Sequence, residues 1–109
     1  MSKDDYFAIV YKILKYLYYC LKKGYNVNDE LLTPEALNIS NDYHFYIFDN
    51  IQAYGYIKGI YAPKTFDKNK VINFISIEIT PKGIEYLCEN NTLNKYAGIA
   101  KEIIHIIKP

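Results

Sequence analysis

Any imidazole- or thiolate-bound metal, and any thiol chemistry, in this chain would have to come from His44, His105, Cys20 and Cys88, its only histidines and cysteines. A metal site needs several ligands at set spacing, and none of these four stands at helical i, i+4 or in a CxxC pair. Cys20 and Cys88 lie far apart and read as small apolar residues with free thiols. His44 projects onto the helical face of Ile47, Phe48 and Ile51, which suits a structural imidazole better than a ligand. Five scattered glycines supply neither a phosphate-binding loop nor a dinucleotide fingerprint. No nucleophile has a base paired with it along the sequence. The expectation is a non-enzyme with no catalytic residues, no metal, no cofactor and no small-molecule substrate.

What remains is the chemistry of binding, carried by lysine and tyrosine. All 13 basic residues are lysine, so no guanidinium is available for bidentate contact with guanine or phosphate. The abundance of Lys, Ile, Asn and Tyr fits an AT-rich coding genome. Lys12, Lys15, Tyr16, Tyr19, Lys22 and Lys23 share the outward half of a first helix. Such interleaving suits nucleic-acid backbones and protein surfaces alike, and a solvated face whose tyrosines lean over the core edge accounts for it equally well. Residues 56–70 carry Lys58, Lys64, Lys68 and Lys70 against Asp67, enough charge to follow a backbone or minor groove. A third helix turns Asp42, Tyr46, Asp49, Asn50 and Ala53 outward. Asn50 could read adenine and Tyr46 could stack or touch a phosphate, but two carboxylates without a lysine oppose a phosphate surface. The candidate nucleic-acid contacts are therefore Lys12, Lys15, Tyr19, Lys22, Lys23, Tyr46, Asn50, Lys64, Lys68 and Lys70.

These residues need elements to position them, and the periodicity supplies a set. From Asp4 to Lys23, Phe7, Val10, Leu14, Leu17 and Leu21 recur on one helical face, and Gly24 closes the helix. Tyr25 to Leu32 reads as a loop. Thr33-Pro34-Glu35 is a helix start, with a hydroxyl cap, Pro at the first position and an early carboxylate. Asn38 ends that short helix, and Ser40 caps a third from Asn41 to Tyr54, stopped by Gly55. Its apolar face is Phe45, Ile47, Phe48, Ile51 and Tyr54. Leu37-Asn38-Ile39-Ser40 is then a tight helix-to-helix turn. After Gly55 the period switches to alternation, giving a strand over 56–61, an exposed loop over 62–70 and a strand over 71–79. Val71, Ile75, Ile77 and Ile79 are expected on one face of the second strand, with Asn73 as the exception. Thr80-Pro81-Lys82-Gly83 opens a helix to about Glu89, and a last helix runs from near Thr92 almost to Pro109.

The order is ααα-ββ-αα, mainly α with a small antiparallel hairpin: a winged helix-turn-helix with a C-terminal helical extension. One domain spans 1–109, with helix 1 over 1–24, the helix-turn-helix over 33–55, the wing over 56–79 and C-terminal helices over 80–108. With 109 residues, half of them apolar and 23% charged, the chain can bury a single core unaided. Met1-Ser2-Lys3-Asp4-Asp5 is acidic where a secretory signal would be basic, and lysines interrupt every apolar run. The expected compartment is the cytoplasm, with no membrane contact.

With the elements placed, the chain resembles the YjcQ family, small proteins of low-GC Gram-positive bacteria and their prophages. The resemblance rests on Tyr11-Lys12-Ile13-Leu14-Lys15, on Gly55-Tyr56-Ile57-Lys58-Gly59-Ile60, and above all on Ile79-Thr80-Pro81-Lys82-Gly83-Ile84-Glu85-Tyr86-Leu87 continuing into Glu89-Asn90-Asn91. It implies a winged-helix fold and a phage or prophage association, and it brings no activity and no functional residues.

Two kinds of partner stay open. On the last helix Leu93, Tyr96, Ala97, Ala100, Ile103, Ile104 and Ile107 form a stripe that Ile99 and Ile106 widen to about half the circumference, beyond the ~100° that docks on one core. Covered flanks would explain this width. So would an interface through Tyr96, Ile99, Ile103, Ile106 and Ile107, to a protein partner or a second copy. The alternative is a DNA-binding regulator that uses the wing and helix 1 lysines.

Overall fold

A computed structural model describes residues 5–63 and 71–91. Within them the order is α1 (Asp5–Lys23), α2 (Pro34–Leu37), α3 (Asn41–Ala53), β1 (Ile57–Tyr61), β2 (Asn73–Ile79) and α4 (Pro81–Asn91), with a 3-10 turn at Asp29–Leu32 before α2. The fold is mainly helical with a two-stranded antiparallel hairpin, a winged-helix-like order. The expected last helix, with Tyr96, Ile99, Ile103, Ile106 and Ile107, lies outside the described residues, as do Lys64, Lys68 and Lys70.

The core forms where α1 packs on α3, the hairpin and α4. Val10, Leu14 and Leu17 are buried as the helical period requires, but Phe7 and Leu21, at the two ends of the same stripe, are about half exposed. The helix overhangs the core at both ends. Tyr16, expected outward among the lysines, is 1% exposed. The segment after α1 folds back over it, and the Asn28 N–H donates to its hydroxyl at 2.7 Å. The expected loop over 25–32 ends in the 3-10 turn, capped by the Asn28 side chain, which accepts from the Glu30 N–H at 3.1 Å.

The helix-turn-helix is built by three local devices. Thr33 Oγ1 accepts from the Ala36 N–H and Ser40 Oγ from the Tyr43 N–H, each at 3.1 Å. Between these caps Asn38 takes a left-handed conformation, φ 56°, and its N–H bonds the Glu35 carbonyl while Ile39 bonds Pro34. Asn tolerates that conformation better than other non-glycine residues, so α2 stops after one turn and α3 starts at once. His44, Phe45, Ile47, Phe48 and Ile51 are buried on α3. Tyr54 is not on that face: it is 57% exposed, because it caps the helix end and turns toward Tyr56 at 6.0 Å.

The hairpin corrects the expected alternation. Ile57 pairs Ile79 and Lys58 pairs Glu78, but the next pair is Ile60 with Phe74, so Gly59 alone faces Ile75, Ser76 and Ile77. From the pair Ile57–Ile79 to the pair Ile60–Phe74 there are three steps on one strand and five on the other, and odd numbers of steps reverse which face points inward. Ile77 and Ile79 are buried before the bulge and Ile72 beyond it, while Val71 and Ile75 point out, Ile75 being 74% exposed. Gly59 makes this possible: its φ is 88°, and a Cβ there would lie 2.0 Å from the Ser76 carbonyl oxygen. Gln52 of α3 ties the reversed segment down, donating to the Ile60 carbonyl at 3.2 Å and accepting from its N–H at 3.1 Å. Thr80 then bridges to α4: its hydroxyl donates to the Gly55 carbonyl and accepts from the Gly83 N–H at 3.1 Å.

Candidate binding surface

His44 is structural. Its Nε2 lies 2.6 Å from the Leu32 carbonyl, its ring packs 4.7 Å from Phe48 and 6.1 Å from Phe74, and burial lowers its pKa from the ordinary value. A neutral imidazole donating to Leu32 closes the 3-10 turn onto α3. Cys20 is buried and Cys88 exposed, both as free thiols. Among the described residues no three metal-ligating side chains converge. No helix among them is long and apolar enough to cross a membrane.

The lysines of α1 do form one flank. Lys12, Lys15, Tyr19, Lys22 and Lys23 recur at three- and four-residue intervals. Lys22 Nζ sits 4.4 Å over the Tyr18 ring, and Tyr19 packs 5.9 Å from Tyr25. Lys15 and Tyr18 border α4 beside Leu87 and Cys88. On the hairpin, Lys58 is held by Glu78 at 3.0 Å in an exposed ion pair.

Tyr46 and Asn50 do not join that flank. Asn50 turns back along its own helix and donates to the Tyr46 carbonyl at 2.7 Å, so its amide is not presented as a base reader. Tyr46 is 58% exposed and meets Tyr6 of α1 edge-on at 6.3 Å. Tyr6 is nine residues from Lys15, about half a turn away on an α-helix, so the two surfaces leave α1 in opposite directions.

Tyr6 is the centre of a convergence that the sequence reading missed. Tyr43, Tyr46, Asn50 and Tyr54 fall within an arc of about 80° along α3 and its C-cap, and Tyr56 and Tyr86 pack against each other at 5.0 Å with their rings tilted by 38°. Phe7 packs edge-on against Tyr6 at 5.3 Å. Burial, and then the neighbouring phenols of Tyr46, Tyr54, Tyr43 and Tyr56, push the Tyr6 hydroxyl above its usual pKa. Burial and the Asp5 carboxylate, which accepts its hydrogen bond, do the same for Tyr43. Lys82 Nζ lies 5.8 Å over the Tyr56 ring at the far rim. Phenols from α1, α3, the first strand's approach and α4 thus meet on one surface. The signal is the spacing of Tyr43, Tyr46, Asn50 and Tyr54, which the expected place of Tyr54 in the core stripe hides.

The family model described as YjcQ protein matches residues 11–106, most of the chain. The chain belongs to the YjcQ family. Neither the curated proteins nor the solved structures include a match to it. The segment Ile79 to Leu87 holds β2 to α4. Gly83 is its tightest point, where a Cβ would lie 2.3 Å from the Tyr56 carbonyl oxygen.

Proposed function

We propose that this protein is a cytoplasmic, non-enzymatic binding module, phage- or prophage-encoded, that acts through protein contacts. The observation that carries the reading is the tyrosine surface of α3 and Tyr6. Tyrosine offers large contact area at small entropic cost and is enriched at the energetic centres of protein interfaces. In a groove-reading winged helix the third helix would meet DNA with positive charge, whereas this α3 carries Asp42 and Asp49 and no lysine. The isoleucine-rich segment with Tyr96, Ile99, Ile103, Ile106 and Ile107 supports self-association as a further protein contact, and dissociation of a dimer by Ile99→Lys with Ile106→Lys would test it.

In-cell cross-linking in a low-GC Gram-positive host tests the main reading. A cross-linked protein lost on Tyr46→Ala with Tyr54→Ala, and kept on Lys12→Glu with Lys15→Glu, is the expected result. The opposite pattern would overturn it. DNA binding is the second reading, favoured by the α1 lysine flank alone. It requires duplex affinity that falls steeply with salt and vanishes in the α1 lysine variant. Phage structural, regulatory or anti-defence genes beside the coding sequence would support the phage origin, and a housekeeping neighbourhood would remove it.

A further inference from the structure

We infer that the tyrosine surface of α3 docks an arginine-bearing basic segment of a partner protein. This rests on the reading that the module works through protein contacts, and it names the chemistry of the partner. Charge is the first argument. Between Lys23 and Lys58 the chain has no lysine and five carboxylates, Asp29, Glu30, Glu35, Asp42 and Asp49. Three of these border the surface: Asp42 and Asp49 lie together beyond the Tyr46 edge of the tyrosine arc on α3, and Glu35 lines an open groove of about 630 Å³ that continues from Tyr43 along the α2–α3 turn. Asp5 adds a fourth carboxylate beside Tyr43.

The rings are the second argument. A cation gains from lying over a phenol face, and the planar guanidinium also stacks and meets carboxylates bidentately, which an ammonium cannot. Among the described residues this contact occurs with Lys22 over Tyr18 and with Lys82 over Tyr56. Tyr46 and Tyr54 present exposed rings without a lysine on their own helix. A second copy of this chain cannot supply the guanidinium, since the sequence contains no arginine. Nucleic acid would bring phosphates against the same carboxylates. The occupant that satisfies both rings and charges is a basic segment from another protein.

Fluorescence anisotropy with a labelled, capped oligo-arginine peptide tests this, beside length-matched oligo-lysine and a DNA duplex, at about 0.15 M salt. The expected order is arginine tighter than lysine, with no DNA binding at this surface. Tyr46→Ala and Tyr54→Ala should each weaken arginine-peptide binding about tenfold, and Asp42→Asn should weaken it less. Lys12→Ala with Lys15→Ala should leave it unchanged. Equal binding of arginine and lysine peptides, or binding indifferent to Tyr46, would show attraction to bulk charge and overturn the proposal. So would absence of binding, tighter DNA binding that depends on Tyr46, or Tyr46-dependent self-association that the peptide does not displace. If the peptide fails while the tyrosine-dependent cross-link survives, only the arginine assignment falls. If both are lost, the protein-contact reading falls with it.

Discussion

On one side of α1 stand Lys12, Lys15, Lys22 and Lys23; on the other, Tyr6 opens into a surface of phenols and carboxylates. Both sides are rich in tyrosine, yet the tyrosines play different parts. Beside the lysines Tyr16 has sunk into the core, and Tyr18 and Tyr19 are occupied by Lys22 and Tyr25. Across the helix Tyr46 and Tyr54 stand more than half exposed. Ring content alone therefore does not mark a binding surface. What distinguishes the α3 side is exposed rings beside carboxylates, with Lys82 at the far rim over Tyr56, and that combination is the feature to break.

The largest expected effect is at Tyr16. If it is a core residue despite its place among the lysines, Tyr16→Ala should cost about 3–5 kcal/mol in urea unfolding, as for other large buried rings. Tyr16→Phe, which leaves the Asn28 N–H without its acceptor, should cost about 1 kcal/mol. Its hydroxyl pKa is pushed up to about 12, chiefly by burial. The folded state therefore favours the neutral phenol, so this stability is intact below the ordinary tyrosine pKa of about 10 and is lost as pH climbs toward 12. A Tyr16→Ala variant as stable as the parent would return Tyr16 to the lysine surface.

Next comes Gly83, where β1's approach and α4 meet. An added methyl would press on the Tyr56 carbonyl oxygen at 2.3 Å, so Gly83→Ala is expected to cost about 2–3 kcal/mol and to part the Tyr56–Tyr86 stack. Tyrosine fluorescence and thermal unfolding would report both. Lys12, Lys22 and Lys23 should be unaffected, whereas Lys15, which borders α4 beside Leu87 and Cys88, is the part of the lysine flank that could respond.

These examples show which parts of the molecule the sequence revealed. Caps and turns were legible because each is a local contract: Thr33 before Pro34, Asn38 at the tight turn and Ser40 before Asn41 act within three residues. The element order followed from them. Tyr16, Tyr54 and Ile75 were misplaced because their surroundings are set by distant residues: Asn28 folding over a phenol, a cap turning a ring toward Tyr56, and a bulge at Gly59 reversing both strands. The sign of the α3 surface was legible from Asp42 and Asp49 alone. Its tyrosine convergence was not, because Tyr6 and Tyr86 arrive from opposite ends of the described chain.

A smaller effect tests the floor beneath both surfaces. His44 is held neutral by burial against Phe48 and Phe74, with its pKa below the ordinary 6.5 despite the Leu32 carbonyl and Glu35 pulling the other way. The unfolded chain binds a proton at this residue before the folded one does. Stability is therefore complete above about pH 6.5 and falls as the solution is acidified below it. Midpoints of thermal unfolding between about pH 7 and 5 should drop in the parent and drop less in His44→Phe. An identical slope in the two proteins would remove His44 as the source.

The smallest expected effect decides whether the tyrosine side is surface or core. Exposed residues away from caps and buried networks usually change stability by no more than about 0.5 kcal/mol when replaced. Tyr46→Ala is expected to stay within that range in urea unfolding, and so is Tyr54→Ala, because Tyr54 caps α3 through its backbone N–H, which alanine keeps. Tyr46 contributes an edge contact to Tyr6, and Tyr54 a tilted one to Tyr56, at ring separations of 6.3 and 6.0 Å. Both rings are more than half exposed, which limits what these contacts add to folding. A loss of several kcal/mol at either position would mean that these phenols hold α1 to α3, and their exposure would then be a by-product of packing. A negligible loss leaves two large rings kept in water beside carboxylates at no benefit to the fold, and binding is then the role that accounts for them.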